Sequence, residues 1–146
     1  MSDDAIYTAR ATVTGGRAQG HAQTDDGGLD LQLRMPSELG GEGGGTNPEE
    51  LFAVGFAACF EGALGTVARR ERLEIGDVSI ASSVSIYRGP ERTFKLGVQL
   101  HVMLPAIEDQ QQASSLVAAA HRVCPYSNAT RNNIEVKLIA NGQPVD

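Results

Sequence analysis

Through the first 35 residues, apolar and polar positions alternate in short runs separated by turn residues. Ile6, Thr8, Arg10, Thr12 and Thr14 alternate with Tyr7, Ala9, Ala11 and Val13 until Gly15-Gly16 breaks the run. A second strand is expected from Arg17 to Thr24, closed by the turn signal Asp25-Asp26-Gly27-Gly28. Leu29, Leu31, Leu33 and Met35 then alternate with Asp30, Gln32 and Arg34, the pattern of a half-buried strand, and Pro36 ends it. The stretch Gly40-Gly41-Glu42-Gly43-Gly44-Gly45 suits only a loop.

The period changes at Asn47. Asn47 fits the N-cap, Pro48 the first helical position and Glu50 the third, a variant capping box, and the helix is expected to run to about Arg70. Its apolar stretch Leu51–Ala68 is interrupted by Glu61, Thr66 and three glycines, too broken to span a bilayer, and reads as a helix buried on nearly every side. A strand pair follows, Val78 to Tyr87 and Phe94 to Leu104, turning at Arg88-Gly89-Pro90-Glu91. A second helix is expected from about Glu108 to Val123, with Leu116, Val117, Ala120 and Val123 on one face, and a last strand from Ile134 to Ile139. The order βββ-α-ββ-α-β implies an α+β fold: an antiparallel sheet with two main helices, in one domain over residues 1–146.

Composition narrows the function classes. The chain has 146 residues, 41% of them hydrophobic and 21% charged, which suits a folded domain rather than a disordered one. A net charge of -6 argues against a nucleic-acid partner, since phosphate binding needs a basic face. The opening MSDDAIYTAR is acidic and polar, without the features of a secretory signal, so a cytoplasmic location is expected. In that reducing compartment the two cysteines are not expected to form a permanent disulfide.

Those cysteines are the first candidates for chemistry. Cys59 lies in an uncharged helical run, and its neighbours Gly55, Phe56, Gly62 and Ala63 are mostly small, leaving room for another backbone or a substrate. It also fits a small core hydrophobe. Cys124 precedes Pro125, which ends the second helix and can open a short new one. That places Cys124 near a positive helix N-terminus or makes it a buried C-cap.

Together the two could form a reversible, redox-active bridge. A buried thiol needs something to stabilise its thiolate, and Arg17, directly after Gly15-Gly16, is the candidate cation, with Glu49 to orient it bidentately. Each also has an ordinary reading, as a solvated turn arginine and a first-turn carboxylate. Glu49 and Cys59 are ten residues apart, ~15 Å along one continuous helix. A shared site therefore requires a helix break or a second chain, which points to a homodimer.

Other signals are weaker. The glycine loop lacks the strand-turn-helix setting of a dinucleotide site. His101, His121, Cys59 and Cys124 lack the paired spacing of a zinc site, so no metal is expected. Phe52, Phe56 and Phe60 form a stripe that is core first and substrate wall second.

Four segments together resemble the organic hydroperoxide resistance proteins of the OsmC family. They are Thr14-Gly15-Gly16-Arg17, Gly45 to Phe52, Ala58-Cys59-Phe60, and Ala120-His121-Arg122-Val123-Cys124-Pro125-Tyr126-Ser127-Asn128-Ala129. The resemblance runs from about Tyr7 to Ile139, and the segment around Cys124 is its most specific part. It implies an intertwined homodimer and a thiol peroxidase that prefers organic and lipid hydroperoxides. It also implies Cys59 as the peroxidatic cysteine, Cys124 as the resolving one, and Arg17 with Glu49 as the activating pair. The implied electron donor is a lipoyl-type dithiol on a carrier protein, with no metal or haem cofactor. One stretch departs from the family pattern: Ile86 to Lys95, with Arg88, Glu91 and Arg92, replaces a glycine-rich, weakly charged turn.

The implied chemistry is consistent with the residues. A Cys59 thiolate attacks the distal peroxide oxygen and expels an alcohol, leaving a sulfenic acid that Cys124 condenses with. An apolar wall of Phe52, Phe56 and Phe60 favours a carbon tail by ~0.8 kcal/mol per buried methylene. The competing readings are a thiol–disulfide exchange protein or redox sensor, and a small-molecule binding module with inert cysteines.

Overall fold

Two turns fold the first part of the chain into a meander. Strand β1 (Ala11–Thr14) pairs antiparallel with β2 (Gln19–Thr24) across the Gly15-Gly16 corner, and β2 pairs antiparallel with β3 (Asp30–Arg34) across Asp25–Gly28. Asp26 builds the second turn by accepting from the Gly28 N–H at 2.9 Å and the Thr24 hydroxyl at 2.8 Å. Those hydrogen bonds, the backbone one first, hold its carboxyl below the usual range. The structure, a computed structural model, describes residues 3–146; Met1 and Ser2, which the single-domain reading includes, lie outside the described residues.

The described chain divides between Leu51 and Phe52 into two compact units. The first has almost no core: Leu33 is its one buried apolar side chain among the described residues. Its first strand is also shorter than the alternation predicts. Pairing with β2 begins at Ala11, and Ile6 and Tyr7 are exposed. Period alone marks a segment that can be a strand; a ladder needs a partner opposite it.

The second unit is built on a four-stranded sheet in the order β4-β5-β6-β7. Strands β4 (Ser79–Arg88) and β5 (Phe94–Met103) form a ten-residue antiparallel hairpin. Strand β6 (Val136–Ala140) lies parallel to β5, because the chain returns through helix α2 (Gln110–Val123) and the short helix α3 (Pro125–Thr130), so this sheet is mixed. A further strand, β7 (Gln143–Val145), closes a hairpin with β6. The element order expected from the sequence lacks β7, although Asn141-Gly142 is a strong hairpin signal. Asn141 takes φ 48° and its amide ties three groups: it accepts from the Leu104 N–H and donates to the Leu104 and Ile107 carbonyls.

Helix α1 (Pro48–Arg70) is continuous, and neither Glu61 nor the glycines break it. With a mean hydropathy of 1.7 over 18 residues it is long and apolar enough to cross a bilayer, contrary to the sequence reading. Within the second unit, however, its Phe56, Phe60, Leu64 and Val67 pack with Leu100, Val102, Leu104, Leu116 and Val117 in one core. Nor is the helix buried all round: Val54, Ala58, Glu61 and Gly62 are exposed.

Candidate functional site

The first unit brings two of the expected residues together. Gly15 and Gly16 adopt φ 78° and 70°, and a Cβ on Gly15 would lie 2.4 Å from the Gln19 carbonyl oxygen, so the corner requires glycine. Arg17 leaves this corner and meets Glu49 fork to fork, Nη2 to Oε1 at 3.1 Å and Nη1 to Oε2 at 3.3 Å.

Glu49 is available for this because the helix start is otherwise satisfied. Asn47 Oδ1 accepts from the Glu50 N–H at 2.9 Å, as an N-cap should. The expected reciprocal half of the capping box is replaced: the Glu50 carboxylate accepts the Thr46 hydroxyl at 2.9 Å. The Arg17 side chain is 41% exposed and Glu49 16%, so the pair contributes at most about 1 kcal/mol to stability. What it fixes is the direction of a guanidinium.

The second unit brings the two cysteines together. Cys59 is half-buried on α1, and Cys124 is fully buried at the junction of α2 and α3. Cys124 serves both helices. Its N–H closes α2 on the Ala120 carbonyl at 2.9 Å, and its carbonyl accepts from Asn128 at 3.0 Å to open α3. Pro125 fits between because the first helical residue needs no N–H partner. The Cys124 thiol donates to the Cys59 sulfur at 3.6 Å, and both thiols are free. An approach of about 1.5 Å would bring the sulfurs to the ~2.05 Å of a disulfide.

Burial pushes the Cys59 thiol up from its ordinary value; the backbone N–H of Tyr126 pulls the other way, and Cys124 adds to the rise. The surroundings in this unit thus favour the neutral thiol, and a nucleophilic thiolate needs a cation.

Tyr126 is the residue that sequence reasoning missed as a site residue. Its backbone faces the Cys59 sulfur, while its ring packs 5.6 Å from Phe56 and 6.0 Å from Phe52, centroid to centroid. A Cβ on Gly55 would lie 2.9 Å from the Tyr126 hydroxyl and 3.3 Å from a ring carbon. The room beside Cys59 expected from Gly55 is therefore filled by this ring, whereas nothing lies within 4 Å of a Cβ on Gly62. The signal was present in the sequence, as a glycine one turn before Cys59 and an aromatic two residues after Cys124.

Of the three phenylalanines, Phe56 and Phe60 have no exposed surface and belong to the core. Phe52 is half-buried and, with Tyr126, forms the accessible part of the aromatic cluster. His101 Nε2 and His121 Nδ1 are buried without hydrogen-bond partners. Among the described residues no group of three or more His, Cys, Asp or Glu side chains is placed to share a metal ion.

A family model for OsmC-like protein matches residues 41–139. The organic hydroperoxide resistance protein of Xanthomonas axonopodis pv. citri is 53% identical over 135 residues, covering 91% of this chain and 93% of its own. The chain belongs to the OsmC family. Within that family it stands with the organic hydroperoxide resistance proteins. The crystal structure of one from Legionella pneumophila superposes with a TM-score of 0.89 at 55% identity, over 93% of this chain and 98% of that one. OhrB of Bacillus subtilis gives 0.84 at 48% identity, over 92% and 98%. The α+β class expected from the element order is the OsmC fold.

Proposed function

We propose that this OsmC-family protein is a cysteine-based thiol peroxidase that reduces organic hydroperoxides to alcohols and so confers hydroperoxide resistance. The observation that carries the reading is the 3.6 Å approach of the two sulfurs, one half-buried and one fully buried, in a chain with no other cysteine. The names of the relatives at about half identity support the substrate class.

In this cycle the Cys59 thiolate attacks the distal oxygen of an alkyl or lipid hydroperoxide; the O–O bond breaks, the alcohol leaves and Cys59 becomes a sulfenic acid. Cys124 attacks that sulfur, water leaves, and a Cys59–Cys124 disulfide forms. A lipoyl-type dithiol on a carrier protein, or another dithiol, returns both cysteines to thiols.

Arg17 is the cation that favours the thiolate and the leaving alkoxide, and Glu49 orients it. Phe52 and Tyr126 receive the carbon tail, with Phe56 and Phe60 as the packed base behind them. The working species is a homodimer in which the Arg17–Glu49 pair serves the cysteine of the second subunit. The exposed Ile6, Tyr7 and Val54 support that assembly, as apolar surface a partner would cover. The family model crosses the boundary between the two units, which supports reading them as one domain. The cycle uses no cofactor, and its place is the reducing cytoplasm.

Intact mass spectrometry on reduced protein tests the reading, with one equivalent of cumene hydroperoxide and hydrogen peroxide in parallel. The expected result is fast loss of two hydrogens with the organic peroxide, mapped to Cys59–Cys124. Equal, sluggish oxidation by both peroxides, or thiols free throughout, would overturn it.

A further inference from the structure

Disulfide formation tolerates little error in position. The two sulfurs stand 3.6 Å apart and must close to ~2.05 Å, with their Cβ atoms about 3.5–4.5 Å apart. The α2–α3 corner that carries Cys124 must therefore be fixed against the turn of α1 that carries Cys59.

The corner is stiff within itself. Pro125 fixes φ between Cys124 and Tyr126, so the two residues shift together. The Arg131 guanidinium spans the corner, donating to the His121 carbonyl near the end of α2 and to Asn128 Oδ1 within α3, both at 2.5 Å. The Thr130 hydroxyl donates to the Tyr126 carbonyl at 2.9 Å and ties down the start of α3. A displacement at Tyr126 thus reaches Cys124 instead of being absorbed between them.

Tyr126 grips α1 at two points one turn apart. Its backbone faces the Cys59 sulfur, and its ring lies over Gly55, four residues earlier on the same face of the helix. Phe56 meets that ring edge-on with centroids 5.6 Å apart, and Phe52 leans on it at 6.0 Å. Glycine leaves the seat open, because a Cβ there would come within 2.9 Å of the Tyr126 hydroxyl.

We propose that Tyr126 is a positioning residue for disulfide formation: its ring, seated on Gly55 against Phe52 and Phe56, sets the reach of Cys124 to the oxidised Cys59. This inference rests on the peroxidase cycle proposed above. In that cycle the Cys59 sulfenic acid has two fates. Cys124 attacks its sulfur, the S–S bond forms, the S–O bond breaks, and the hydroxyl leaves with the thiol proton as water. Otherwise the sulfenic sulfur attacks a second hydroperoxide; the O–O bond breaks, the alcohol leaves, and Cys59 becomes a sulfinic acid that a dithiol does not reduce. The seated ring favours the first fate by keeping Cys124 within reach.

The test follows the intact mass of the reduced full chain, stopped with acid at increasing times, with cumene hydroperoxide raised until the first oxidation no longer limits. Conversion of the species that has gained one oxygen into the one that has lost two hydrogens is then a unimolecular rate, independent of how peroxide binds. Tyr126→Phe keeps the ring and should close at the wild-type rate. Tyr126→Ala should close about ten- to a hundredfold more slowly, the scale set by a misplacement of about 1 Å, with a matching rise in sulfinic product. Gly55→Ala displaces the ring but keeps it in the chain; it should slow closure in the same direction, and it carries the test if Tyr126→Ala does not fold. Closure at the wild-type rate in Tyr126→Ala or in Gly55→Ala, even with a lowered melt, overturns the positioning role. So does a Tyr126→Phe variant as slow as Tyr126→Ala. A wild-type chain that forms neither species overturns the cycle, and the positioning role with it.

Discussion

Arg17, at the β1–β2 corner, and Glu49, in the first turn of α1, stand partly in water in a unit with almost no core, whereas Cys124 is buried in the main apolar core and Cys59 packs against it. The first region is held by turn geometry and strand pairing, the second by apolar burial. Each has what the other cannot hold. An unpaired guanidinium inside the second unit would bear a large desolvation penalty, and a thiol on the ribbon would lack the dry, fixed approach to a second sulfur. The Cys59 thiol bears the consequence of burial, being pushed toward its neutral form. In the proposed cycle these would be a half-buried nucleophile and a solvated cation, and that assignment can be tested from either side.

The largest expected effect is on the cysteines. Cys59→Ser should reduce peroxide turnover to background, a loss of about a thousandfold or more in a coupled assay, with the thermal melt nearly unmoved. Cys124→Ser should let Cys59 oxidise once and stop, visible by mass as a gain of oxygen rather than a loss of two hydrogens.

Next comes the charged region. Arg17→Met should slow peroxide reduction by about a hundred- to a thousandfold and leave the fold intact, since an exposed ion pair adds little stability. Its rate should also keep rising with pH above the wild-type plateau. The sign follows from the raised thiol: without the cation, more alkali is needed to form the same fraction of thiolate. A pH profile unchanged in the variant would remove Arg17 from the thiolate's surroundings.

Smaller effects probe the packing that joins Tyr126 to Cys59. Gly55→Ala places a methyl group against the Tyr126 ring and should destabilise by about 1 kcal/mol in a denaturant titration. It should also raise the KM for a long-chain hydroperoxide more than for tert-butyl hydroperoxide. Adding Tyr126→Ala should relieve the clash, and a double variant no more stable than expected from the two single changes would refute the contact. Asn47→Ala should cost about 1 kcal/mol through the lost N-cap.

The smallest is a slope. Burial first, then Arg131 and Arg122, holds the His121 imidazole below its usual value, so the unfolded chain binds a proton more readily than the folded one. Stability should therefore fall as pH drops below about 6.5. His121→Gln should flatten that part of a plot of Tm against pH, and an unchanged slope would assign it to other groups.

Much of this was legible in the chain because it is local. The Asn47-Pro48 start, the Gly15-Gly16 corner, the alternation of β5 and the helix break at Pro125 each depend on a few neighbouring residues whose φ and hydrogen-bonding needs are fixed by their type. The failures are equally specific. The alternation from Ile6 to Ala9 meets no partner strand, so it forms no ladder, and the β7 hairpin at Asn141-Gly142 is signalled by turn chemistry rather than by alternation.

By itself, then, the sequence determined the order of the main elements up to β6, the α+β class and the four residues worth testing. The sequence proposed two distant pairs and tertiary structure brings them into contact: Arg17 with Glu49, 32 residues apart, and Cys59 with Cys124, 65 apart. Tertiary structure also decided that the Tyr126 ring fills the space over Gly55, and that Phe56 and Phe60 are core while Phe52 keeps an accessible edge. The reason is physical. Backbone preference acts over one turn of chain, whereas burial, the approach of two sulfurs and the pKa of a thiol depend on what packs from elsewhere.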